Sequence, residues 1–383
     1  MQVLGWVRFP LAFIASAINC RKALRGITCD VHEFSIPREA GNFEFDVWRT
    51  SKSYCSNILI ISTSFAFRQL IFEHSQNPLS PLPFPTSLPA DHCPSFPQNR
   101  ASNDCQTHYL STGKEGWLIV APKDQPDQPE GCVVPFVYPN GTGWVGFFCI
   151  NSPFRGRGWG ATLFQAGLNH FAANGAEVVG LDAVQEQVKT YERRGFVDKA
   201  RIRLMVREGL GTQPLEGGLG HPQEGERLFP LERVPSEVLT RSDLEHLGLE
   251  RPKVWTKEAM FSRPDAFGFA LVKGETMDEL QGWILVRSCQ HGFRFGPLYA
   301  KTKEKADLLL RTAMKRVEKE QGTFIAEVWP QNPEANEIFE EAGWKYAGID
   351  YHRMWLNGVV PMEQRPGGLA EKECFAIFDA GEG

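Results

Sequence analysis

The 383-residue sequence predicts an α/β (α+β, mixed-sheet) protein of two tandem domains, each a central, mostly antiparallel sheet flanked by helices. Three observations carry this. From 116 to 206 the chain reads as three strands, a helix, a strand, a helix and a strand. From 267 to 354 the order strand, helix, strand, helix, Gly-aromatic returns, with Gly195-Phe196 and Gly343-Trp344 closing corresponding helices. Between them 209–226 (GLGTQPLEGGLGHPQEGE) is Gly-rich and without period, as an interdomain linker is. The expected division is a poorly defined segment 1–30, a first domain 31–208 with an insertion near 73–102, the linker 209–226, a second domain 227–358 and a tail 359–383.

Taken in order, 3–18 is largely apolar but too short, and too interrupted by Arg8 and Pro10, for a membrane span. Ala15-Ser16-Ala17 resembles a signal-cleavage site, yet no charged region precedes the apolar stretch. A cytoplasmic protein without stable membrane association is expected. Residues 42–48 alternate Phe43, Phe45 and Val47 with polar neighbours and read as a strand. The stretch 58–71 is largely apolar, with Arg68 its only charge. Residues 77–99 (including PLSPLPFPTSLP) have no period and read as an exposed or disordered loop.

Residues 116–121 (GWLIVA), 132–138 and 144–150 read as strands. The helix 158–174 places Leu163, Phe164, Leu168, Phe171 and Ala172 on one face and stops at Gly175. A short buried strand 178–181, a helix 187–194 stopped by Gly195, and a strand 200–206 close this half. In the second half 267–272, 282–286 and 324–328 read as strands and 303–319 as a helix burying Ala306, Leu309, Leu310, Ala313, Met314 and Val317. Asn332 is placed as the N-cap of a last helix, with Pro333 at its first position and Gly343 as its stop.

Composition narrows the function. Hydrophobic content of 42% and charged content of 23% are those of a soluble globular chain. A net charge of −5 offers no general basic surface, so no nucleic-acid partner is expected. Nine cysteines without C-x-x-C spacing predict reduced thiols, not a disulfide framework or metal site. The nine histidines show no H-E-x-x-H pair, and no metal is expected.

The informative segment is FFCINSPFRGRGWGATLFQ, 147–165, in which a strand feeds a Gly-rich loop that opens a helix. Gly156, Gly158 and Gly160 remove side chains, so backbone N–H groups can approach a ligand. The helix N-terminus, Arg155 and Arg157 add positive charge, which makes an anion site suited to a pyrophosphate. Two ligand classes use such a loop. A dinucleotide fits Gly156-x-Gly158-x-x-Ala161, with Asp182 ending the next strand; coenzyme A is the other. Here the loop resembles motif A of the GNAT acetyltransferases, [Q/R]-x-x-G-x-[G/A], through Arg155, Gly158 and Gly160. GLDAVQEQVKTYERRGF, 180–196, resembles that family's later motif, a strand and then a helix ending in Tyr-x-x-x-Gly-Phe, matched by Tyr191, Gly195 and Phe196. A dinucleotide unit has no reason to carry the second motif, so the pair together identifies residues from about 115 to 207 as similar to a GNAT domain.

The resemblance implies an acyl-CoA N-acyltransferase fold with acetyl-CoA as co-substrate and a small-molecule primary amine as acceptor. It assigns the donor site to Cys149, Ile150 and Asn151, whose backbone would meet the thioester oxyanion, and to the loop Arg155, Gly156, Arg157, Gly158, Trp159 and Gly160. Trp159, with Trp144 and Phe154, would line the channel or serve as core. Tyr191 would protonate the departing thiolate. Asp182 is the candidate general base acting through water, or else a surface or turn carboxylate. Residues 282–354 resemble the C-terminal acetyltransferase-like domain of tandem GNAT proteins through VRSC, GPLYA and HRM, but only Gly296 could play a loop role there, and Phe339 stands where Tyr191 does. Phenylalanine donates no proton, so this half is expected to shape the cleft or stabilise the first. A CoA-binding pseudoenzyme or scaffold without turnover is the alternative, and a dinucleotide enzyme the third.

Overall fold

In the computed structural model the described residues are Asp104, 107–113, 116–125 and 128–383, with the backbone of three strands before them. Those three are β1 (Val31–Phe34), β2 (Phe45–Trp48) and β3 (Ile58–Ser62). The apolar segment 3–18 and the Pro-rich stretch 77–99 lie outside the described residues.

The first half continues with α1 (His108–Thr112), β4 (Leu118–Pro122), β5 (Gly131–Val137), β6 (Thr142–Ile150), α2 (Trp159–Ala173), β7 (Val178–Ala183), α3 (Val188–Glu192) and β8 (Phe196–Glu208). The second half holds β9 (Glu226–Pro230), α4 (Ser236–Leu247), β10 (Ala266–Lys273), β11 (Leu280–Cys289), β12 (Gly292–Ala300), α5 (Lys303–Arg316), β13 (Thr323–Val328), α6 (Pro333–Glu341) and β14 (Lys345–Leu356). Then come α7 (Ala370–Glu373) and β15 (Cys374–Ala376). Asn332 caps α6 as its sequence signal requires, its side chain accepting from the Glu334 N–H at 3.1 Å. The strand 292–300 was not resolved by sequence periodicity: its run FRFGPLYA is buried on both faces and so does not alternate.

Both halves are mixed sheets flanked by helices, but the two sheets are one. The strand order is β1-β2-β3-β4-β5-β6-β7-β14-β8-β13-β15-β12-β11-β10-β9. One long strand of each half, β8 and β14, has crossed to the other. β14 pairs with β7 (Arg353↔Asp182, Trp355↔Gly180), and β8 pairs with β13 (Ile325↔Val206, Val328↔Arg203). β8 and β14 then pair with each other in the middle, antiparallel, so the junction has the self-complementary form of a two-fold dimer interface within a single chain. The duplicated sequence makes this possible, because two similar halves present the same strand edges.

Three cores follow. α2 lays Leu163, Phe164 and Phe171 on Val120, Val133 and Val145 of the first half. α5 does the same over the second with Leu309, Leu310 and Ala313. The third core joins the halves and contains Trp144, Trp255, Trp283, Trp329 and Trp355.

Candidate donor site

β6 and β7 are parallel neighbours only at Thr142↔Val178, Gly143↔Val179 and Trp144↔Gly180. Beyond that register they part, and β6 continues to Ile150 with β5 alone beside it. Gly180 stands at the vertex because a Cβ there would lie 2.4 Å from the Trp144 ring. The result is a V-shaped slot between two strands.

β6 is also bulged. Its register with β5 shifts between Cys132↔Cys149 and Val134↔Gly146, and Phe147 sits at φ 52°, a strained value for a residue with a side chain. The two adjacent phenylalanines point to opposite faces. Phe147 meets Tyr109 at 4.6 Å, and Phe148 meets Phe164 of α2 at 5.2 Å.

Past the bulge, the three strand residues assigned to the donor site have different fates. The Asn151 N–H donates to the Glu130 carbonyl at 2.9 Å and its side-chain amide to the Glu130 carboxylate at 2.5 Å, so Asn151 fastens the strand end and its amide is not offered to a ligand. Cys149 is paired with Cys132 across the ladder. Strand alternation turns the Ile150 N–H and C=O the other way, towards the slot. The Ile150 carbonyl accepts from Arg155 Nε at 2.8 Å, which brings that guanidinium to the mouth of the V.

The loop then turns through Gly156 (φ 72°) and Gly158 (φ 83°) into α2. Gly158 is the N-cap and supplies no side-chain acceptor, so the first N–H groups of a 15-residue helix face outward from the loop. A Cβ at Gly156 would meet nothing within 4 Å, whereas one at Gly160 would touch Ile150 and Phe148 at 3.4 Å. Gly160 therefore faces the strand with room for a Cβ. Arg157 lies with its guanidinium carbon 5.2 Å from the Phe154 ring centre, and Trp159 is buried against the same ring at 4.8 Å.

Tyr191 reaches this region from α3. Its ring packs on Phe164 (5.5 Å), Phe196 (6.3 Å) and Phe148 (6.4 Å), and its hydroxyl has no hydrogen-bond partner among the described residues. Burial pushes the phenol up to about 12, with Arg194 pulling weakly the other way. Asp182 is elsewhere. Its carboxylate is held by Arg353 of β14 at 2.9 and 2.7 Å, both side chains fully buried. This corrects its assignment as a base and also as a surface carboxylate: it is one end of an ion pair that bridges the halves, and no sequence signal on β7 announced the arginine 171 positions later.

The second half has the same V and fills it. β12 and β13 pair from Gly292↔Thr323 to Phe295↔Ala326 and then part. β15 enters the gap, with Leu298↔Ala376 and Tyr299↔Cys374 on one side and Val328↔Ala376 on the other. The Ile377 N–H donates to Glu327 O at 2.8 Å, and the Trp329 N–H to Phe375 O at 3.1 Å. The loop before α5 has no glycine, and Thr302 caps the helix by accepting from the Lys305 N–H. Phe339, at the place of Tyr191, is fully buried against Trp344. From β15 the chain runs on to the first half, where Trp144 Nε1 donates to the Ala380 carbonyl (3.0 Å) and Tyr138 to the Glu382 carbonyl (2.6 Å).

Comparison with known proteins agrees with this duplication. Residues 86–196 match the model of the acetyltransferase (GNAT) family, and residues 239–365 match a second model, of an acetyltransferase (GNAT) domain. A curated relative, holothin acyltransferase of Pseudoalteromonas sp. (strain SANK 73390), is 26% identical over 199 residues, which are 52% of this chain. The match spans only 61% of the length of that relative. Among solved structures, a putative acetyltransferase from Pyrococcus horikoshii superposes with a TM-score of 0.62 at 17% identity, over 88% of this chain and 99% of that one. A glucosamine N-acetyltransferase region of a fungal multi-domain β-N-acetylglucosaminidase gives 0.51 at 8% identity, over 80% of this chain and 39% of that one. Both likenesses concern the fold.

Proposed function

The chain belongs to the GNAT superfamily of acyltransferases, with two of its domains in tandem, and on that premise we propose that the first half transfers an acetyl group from acetyl-CoA to the primary amine of a small molecule. One observation carries the reading: among the described residues no strand enters the V between β6 and β7, whereas its counterpart between β12 and β13 is occupied by β15.

The residues divide the work as follows. Gly156 and Gly158 expose the α2 N-terminus, and Arg155 and Arg157 add charge, so the loop holds the pyrophosphate. The Ile150 N–H, aimed into the slot, donates to the thioester oxygen as negative charge develops there on attack by the amine. Tyr191, held protonated by burial, gives its proton to the thiolate that leaves. Asp182 takes no part, and the proton of the attacking amine passes to water. The second half binds no donor and supports the first by strand exchange. The curated relative named for acylating holothin supports a small-molecule acceptor, and the net charge of −5 supports a partner other than nucleic acid.

Calorimetry with acetyl-CoA tests this on the full chain. One saturable site per chain is expected, lost in the double variant Arg155→Ala, Gly158→Trp, together with release of free CoA thiol when amine pools are added. Two sites per chain would overturn the role given to β15. Binding without thiol release under any amine pool would leave a CoA-binding protein without turnover.

A further inference from the structure

Cys132 and Cys149 stand directly opposite each other on β5 and β6, and their sulfurs are 3.5 Å apart. Residues so placed share a face of the sheet. Both are partly buried and neither is in a disulfide. Cys132 Sγ also donates to the Phe147 carbonyl at 3.3 Å, which places the pair on the bulge that shapes the slot. The hydrogen bond between the two sulfurs lowers the Cys149 thiol from its usual value against the effect of burial, and Arg155 adds to the lowering. The other two described cysteines differ: burial raises both Cys289 and Cys374.

We propose that Cys132 and Cys149 form a reversible oxidation site, converted by a hydroperoxide into a cross-strand disulfide that shuts the donor slot. The Cys149 thiolate attacks the peroxide, taking one oxygen to become a sulfenic acid, and the displaced oxygen leaves as hydroxide and is protonated. The Cys132 thiolate then attacks that sulfur, the S–S bond forms, and the sulfenic oxygen leaves as water. Two thiols thus supply two electrons and two protons, and one hydroperoxide is reduced. A dithiol reductant reverses the step by exchange. Drawing the sulfurs from 3.5 Å to about 2 Å moves the backbone at Cys149, and with it the next amide, that of Ile150.

The effect on the slot rests on the proposed donor site; formation of the disulfide does not. The full-length protein is treated with hydrogen peroxide, its remaining thiols are blocked with N-ethylmaleimide, and peptides are mapped by mass without reduction. The expected result is a linked peptide joining 132 to 149, with acetyl-CoA binding lost in parallel and restored by dithiothreitol. Cys132→Ser, which keeps a donor for the Phe147 carbonyl, is expected to bind acetyl-CoA before and after peroxide alike. Absence of the linked peptide, or a serine variant inactivated to the same degree as wild type, would overturn the proposal. A reduced wild type that never binds acetyl-CoA would count against the donor-site reading instead, because the linked peptide is scored without ligand.

Discussion

Tyr191 and Asp182 were chosen from the same stretch of sequence, and their surroundings separate them. Tyr191 sits among three phenylalanine rings, and its hydroxyl has no hydrogen-bond partner among the described residues, as a proton donor to a ligand requires. Tyr191→Phe is expected to lower kcat by about 10²–10⁴-fold with little change in KM, measured by thiol release. The same residue has a pH signature in stability. The usual phenol value of 10 applies to the unfolded chain and about 12 to the folded one. Its contribution is therefore intact below pH 10 and is lost as pH rises to 12, by about 2–3 kcal/mol in all. Denaturant titrations of wild type and Tyr191→Phe at several alkaline pH values should show the variant lacking this share of the decline. Asp182 holds Arg353 in a fully buried pair. Asp182→Ala leaves that arginine without its partner and is expected to cost about 3–5 kcal/mol, seen as a lower Tm. A normal Tm with kcat abolished would instead restore it as a catalytic base. Tyr191 was legible because its motif is local; Arg353 was not, because the pair forms only when β14 crosses to β7.

At the scale of elements, the strand–loop–helix unit was the most legible part of the chain. Glycines and arginines between an apolar run and an amphipathic one mark a strand end, a turn and a helix start, all set by neighbours in sequence. The structure adds that the glycines are not equivalent. Gly158 has φ 83°, where a side chain costs about 1–2 kcal/mol, while Gly160 has only ordinary contacts at 3.4 Å. Gly158→Ala should therefore weaken acetyl-CoA binding and lower Tm, and Gly160→Ala should stay within about 1 kcal/mol of wild type in stability and keep binding. Equal losses in the two, by calorimetry and thermal melts, would contradict that division of roles. The bulge at Phe147 was missed, though a trace of it stands in the sequence: Val145, Phe147, Phe148 and Ile150 break strict alternation at the point where the strand changes face.

For the whole molecule, the exchange of β8 and β14 makes the halves inseparable in a way that a Gly-rich linker does not suggest. β8 is bonded to β13 of the other half, and β14 to β7. A protease site placed within the exposed linker near Gly217–Gly218 should, after cleavage, yield two fragments that co-elute in gel filtration and part only in denaturant. Fragments that separate in native buffer would contradict the exchanged pairing. The same exchange, with β15, explains how a duplicated domain without a Gly-rich loop is retained: it supplies strand edges and central core to its neighbour.

What the residues determined alone was local in origin. Strand and helix periods, the anion-binding loop, the Tyr-Gly-Phe helix end and the duplication depend on spacing over a few to a few tens of residues, and such patterns survive in a linear text. What only the tertiary structure decided depends on which edges meet. Ladder hydrogen bonds are made by backbone groups that every residue carries, so the sequence does not say that β14 pairs with β7 or that β15 fills the second V. Those pairings place a buried arginine on Asp182 and close the second slot, while among the described residues no strand enters the first.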